Sequence, residues 1–130
     1  MKPIVTPILL ATIWIGLSEF MRNEFLLKEY WIEHYADMGI TFPSDPVNGA
    51  IWGLWSLLFA IFIYIISRRF QFMETALISW FGGFVLMWVV TGNLDVLPFH
   101  LLYAAVPLSL LEVFVATWLI KKFSTRSAEG

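Results

Sequence analysis

A single carboxylate interrupts the most apolar stretch of this chain. The run from His100 to Ile120 reads HLLYAAVPLSLLEVFVATWLI, and Glu112 is its only acid. Such a run predicts a membrane-crossing helix. Glu112 then falls near the middle of the bilayer, where a charged carboxylate is costly and turns toward protein or water. Two chemistries suit it there: a protonatable site in a transport path, or a neutral carboxyl bonded to a neighbouring helix. Burial favours the neutral form. Depth counted from the span ends puts Thr12, Ser56, Ser79 and Trp80 level with it as candidate partners. Ala105, Ser109 and Ala116 share its helical face, a stripe of small residues that lets another helix approach closely. Pro107 leaves the Tyr103 carbonyl without its helical partner and predicts a kink beside the glutamate.

A second polar set starts at Glu19. Arg22 follows at the spacing of a helical ion pair, and Asn23 shares the face. Asn48, Trp52, Asn93, Asp95, His100 and Tyr103 are expected at the same outer depth. Together these residues predict either an outward-open polar pocket or an interfacial belt of hydrogen bonds. Glu19, Asp95 and His100 have the chemistry of metal ligands, but no spacing such as HExxH supports them, and no metal site is predicted. There is no phosphate-binding glycine loop, nucleophile elbow or assembled triad. The reading therefore leans away from an enzyme and leaves any cofactor unknown.

Four apolar spans must position these residues, at about 3–22, 46–67, 72–93 and 100–120. The 130 residues are read as one transmembrane domain, 59% hydrophobic and 14% charged. The expected fold is all-α, an integral membrane bundle of four helices. A more polar segment, about 25–38, separates the first two spans and reads as an amphipathic interfacial helix or as a continuation of the first helix beyond the bilayer, with Phe25, Leu26, Tyr30, Trp31 and Met38 on its apolar side. Gly39 is its predicted stop. Ser44-Asp45-Pro46 is the start signal for the second span. Gly49 and Gly53, extended by Ser56 and Ala60, predict a close-packing face. Residues 123–130 are expected to be a flexible tail.

Charge sets the orientation. Lys2, Arg68, Arg69, Lys121, Lys122 and Arg126 would share one side, and Arg22 and Lys28 the other. The positive-inside rule places both termini in the cytoplasm. A net charge of −2 gives no footprint for nucleic acid, and the absence of cysteine excludes disulfides and thiol chemistry. The expected partners are the lipid bilayer and either a second copy or a larger membrane complex.

The chain resembles small bacterial four-helix inner-membrane proteins. The resemblance rests on the acid late in the first span (Trp14 to Glu19), the Thr91-Gly92-Asn93 ending of the third, and Pro107 followed by Glu112 in the fourth. It implies a bacterial inner-membrane location and no particular activity. Two functional classes remain open: a protein that binds or moves a small solute through a protonatable glutamate, or a structural or accessory subunit of a membrane complex. A membrane enzyme ranks third.

Overall fold

The structure is a computed structural model that describes residues 2–41 and 45–129, with side chains left out at 2, 3, 24 and 125–129. Ser44, part of the predicted start signal, lies outside the described residues.

The elements follow from local chemistry. Helix α1 (Lys2–Phe20) runs into a π-helical turn (Met21–Leu26), and Leu27 then breaks the helical path before α2 (Lys28–Asp37). Gly39 follows α2 with φ +78°, the left-handed conformation that glycine tolerates best. Helix α3 (Pro46–Ser67) opens with a capping box in which the Asp45 N–H donates to Asn48 Oδ1 at 2.9 Å. The third span is α4 (Phe72–Trp80), a π turn (Phe81–Val85) and α5 (Leu86–Asn93) in sequence. A 3-10 turn (Phe99–Leu101) leads into α6 (Leu102–Glu129). Four helices are long and apolar enough to cross a membrane. Their outward faces carry exposed Ile13, Ile51, Val89 and Leu111, a surface compatible with lipid contact.

Helix α6 is the centre of the bundle and packs on α1, α3 and α4. One core cluster joins Ala11 and Ile15 of α1 to Ala116 and Ile120 of α6. A second joins Leu27 to Leu97, Leu101 and Ala105. Residue numbers rise along α1 as they fall along α6, so the two helices are antiparallel. Ala105, Ser109, Glu112 and Ala116 are all buried, as the small-residue stripe predicts. At the end carrying the termini, Lys121 Nζ donates to the Ser67 and Phe70 carbonyls at 3.0 and 2.7 Å. That tie closes the α3–α4 turn over α6.

One expectation needs correction. Gly49 and Gly53 are exposed, and a Cβ built on either meets nothing within 4 Å. Only Ser56 and Ala60 of that stripe are buried, because α3 turns its first half outward. The close approach to α1 is instead Gly16 against Ser56, 3.8 Å from a built Cβ to Oγ. Residues 123–129 continue α6, since nothing before Gly130 breaks a helix. On the segment 25–38, Phe25, Leu26 and Tyr30 face outward, as an interfacial helix requires, and Leu27 is buried in the bundle.

Gly83 has a stricter role. A Cβ there would overlap the Phe59 ring, which is buried and stacked on Trp55 at 4.9 Å between centroids. Gly83→Leu is expected to destabilise the fold by about 1–3 kcal/mol through overpacking. Gly53→Leu is expected to leave the melting temperature of the detergent-solubilised protein unchanged. Equal losses for both would mean that a partner covers the Gly49–Gly53 face.

Candidate functional site

Three ionisable side chains meet in the interior. Glu19 is 3% exposed, Arg22 6% and Glu112 0%. Arg22 Nη2 donates to Glu19 Oε2 at 2.6 Å, and Arg22 Nη1 donates to Glu112 Oε1 at 3.1 Å. Ser18 Oγ donates to the same Glu112 oxygen at 2.8 Å. Glu112 Oε2 is buried and has no hydrogen-bond partner among the described residues. The Arg22 guanidinium also lies over the Phe84 ring, 5.3 Å from its centroid.

The network continues toward α2. Asn23 Nδ2 donates to Glu19 Oε1 at 3.2 Å, and Trp31 Nε1 donates to Asn23 Oδ1 at 3.1 Å. Hydrogen bonds thus connect the polar α2 segment to a carboxyl in the middle of α6. Helix α2 is latched a second time, where His34 Nε2 donates to the Asp95 carbonyl at 2.6 Å. Asp95 presents that carbonyl from a left-handed backbone, φ 63°.

Helix geometry explains why Arg22 reaches Glu112. Trp14 Nε1 donates to the Glu112 carbonyl at 2.8 Å, so Trp14 and Glu112 are at one level. Arg22 is eight residues further along α1, about 12 Å of rise. Side chains on a helix lean toward its N-terminus. In an antiparallel pair those directions converge, so Arg22 leans down α1 as Glu112 leans up α6. Two long side chains close the gap. The π turn sits at this point, where the Leu27 N–H donates to the Arg22 carbonyl at 2.8 Å, five residues back. The other π turn carries Phe84, so both partners of the cation–π contact stand on widened turns, a form common at functional sites.

The structure sorts the sequence candidates. It joins Glu112, Glu19, Arg22 and Asn23. Ser109, one turn before Glu112, accepts from Trp80 Nε1 at 2.9 Å and donates to the Val106 carbonyl at 3.0 Å. The outer residues go elsewhere. Asn48 belongs to the α3 cap. Trp52, Asn93, Asp95, His100 and Tyr103 are exposed, Tyr103 at 86%. The residues expected level with Glu112 mostly satisfy themselves. Thr12 Oγ1 donates to the Ile8 carbonyl at 2.7 Å and Ser56 Oγ to the Trp52 carbonyl at 3.0 Å. Ser79 is buried with a free hydroxyl among the described residues. No group of three His, Asp or Glu side chains that could hold a metal occurs among the described residues. Two open surface hollows, of about 360 and 490 Å³, are lined by other residues.

Trp14 and Ser18 on α1, Trp31 on α2 and Phe84 on the second π turn belong to the centre, although none was expected as a site residue. Trp14, Ser18 and Arg22 repeat at four-residue spacing, the mark of one helical face. That signal was present in the chain. Comparison with protein-family models, curated proteins and solved structures finds no match to this chain.

Proposed function

We propose that this chain is a multi-pass membrane protein whose Glu19–Arg22–Glu112 centre binds and releases a proton in step with the binding or movement of a small solute. One observation carries the reading: two buried carboxyls share one guanidinium. With both ionised the centre would hold a net charge of −1 in apolar surroundings, at a cost of several kcal/mol. One proton on the pair makes it neutral. Loss of that proton would leave a charge that only a rearrangement or a second cation can balance, which is the physical basis of coupling. The six-to-two distribution of Lys and Arg supports an orientation with both termini in the cytoplasm and α2 outside, and the resemblance to small bacterial four-helix proteins supports an inner-membrane location.

Infrared spectra of the protein reconstituted in lipid test this. The expected result at neutral pH is a protonated-carboxyl band that shifts promptly in deuterium oxide. The band should disappear in a folded Glu19→Gln/Glu112→Gln variant. A wild type without such a band would overturn the reading. A band that never exchanges would favour the second reading, a structural subunit in which the centre is a helix clamp. The burial of all three side chains and their pairing with one another support that alternative.

A further inference from the structure

The guanidinium of Arg22 is a cation held in a built site. Its walls are the Glu19 carboxyl, the Glu112 carboxyl and the Phe84 ring. Both carboxyls are more than nine-tenths buried, and Glu112 Oε2 has no hydrogen-bond partner among the described residues. Two carboxylate groups and an arene face are the components that recognise an organic cation with N–H donors. Arg22 enters from the end of α1 next to α2, with its backbone in the π turn and only its side chain directed into the bundle. A different rotamer of this long side chain would carry the charge back toward the polar end, leaving the walls in place.

We propose that the Glu19–Glu112–Phe84 site binds a small organic cation of the guanidinium or primary ammonium class, and that Arg22 is its tethered occupant in this structure. The proposal rests on the functional reading above and names its solute class. The charge count supports a single cation. With Arg22 withdrawn, the carboxyl pair is neutral either with two protons or with one proton and one external cation, so binding of the cation releases one proton. The other groups facing the site on the described elements are Ser18 and Asn23 from α1 and its π turn, and Trp31 of α2 through Asn23. Helix α2's His34 is engaged at the Asp95 carbonyl. A cation therefore competes with Arg22 and not with a second internal charge.

The test uses the full chain in detergent, with butylguanidinium as the probe and butylurea as its neutral counterpart. Arg22→Ala should melt at a lower temperature than wild type. Butylguanidinium at millimolar concentration should restore most of the loss, and butylurea should not. Calorimetric titration of the wild type should show weaker binding of butylguanidinium, abolished by Glu112→Gln. Equal rescue by both compounds, or no rescue of a folded Arg22→Ala, would overturn the proposal. If Arg22→Ala does not fold, the titration decides alone, and wild-type binding unaffected by Glu112→Gln counts against the site. Failure here with a carboxyl band that still exchanges deuterium would remove the cation site and leave the proton reading standing.

Discussion

Arg22→Leu is expected to cost the folded state about 3–5 kcal/mol, measured by reversible unfolding in a denaturing detergent. The estimate follows from breaking a buried ion pair by removing one partner, which leaves the other charge uncompensated. Here two carboxyls lose their shared donor at once, and the Phe84 face loses its cation. Lys122→Leu is the control. Lys122 is exposed and lies 4.6 Å from the Trp118 ring centroid, a contact that water and ions screen. Its loss should be within about 1 kcal/mol. The Arg22→Leu loss should also shrink as the pH is lowered. Protonating both carboxyls removes the charge that the guanidinium balanced. A loss that is equal at every pH would assign the effect to packing of the arginine stem, not to its charge.

The fold was largely legible because apolar length and punctuation act locally. The four spans, the Gly39 stop and the Asp45–Pro46 start each depend on a few neighbouring residues. The buried stripe of Ala105, Ser109, Glu112 and Ala116 was legible for the same reason, since it is a period along one helix. The centre was only half legible. The Glu19–Arg22 pair is local and was expected, whereas Arg22 on Glu112 spans ninety residues of sequence. Depth counting placed these two groups at different levels of the bilayer, and their Cα positions do differ. The count ignored the direction of side chains, which closes the distance in an antiparallel pair. The π turns gave no periodic signal. The ring that presses on Gly83 comes from another helix, which no local pattern records. The outer polar residues were grouped by depth alone. Depth says nothing about azimuth, and the bundle turns most of them to its surface.

Replacing the whole centre should have the opposite effect on stability from removing its arginine. Glu19→Met, Arg22→Leu and Glu112→Met together substitute apolar side chains into the same buried space. Buried charged sets exchanged for apolar residues of similar volume often leave stability unchanged or raise it by about 1–4 kcal/mol, because the desolvation of the charges is no longer required. The local cost is small. Trp14 keeps its acceptor, which is the Glu112 backbone carbonyl, and Asn23 keeps the Glu19 carbonyl at 3.1 Å. Ser18 loses the Glu112 carboxyl and must turn to its own helix, as Thr12 and Ser56 already do. The triple variant is therefore expected to unfold at or above the wild-type detergent fraction, to lack the exchanging carboxyl band, and to bind no butylguanidinium. A clamp that can be replaced without loss is not kept for stability, so this outcome would assign the three charges to function. A triple variant as unstable as Arg22→Leu would show instead that the hydrogen bonds of the centre hold α1 against α6 more strongly than packing can, and would favour the structural reading.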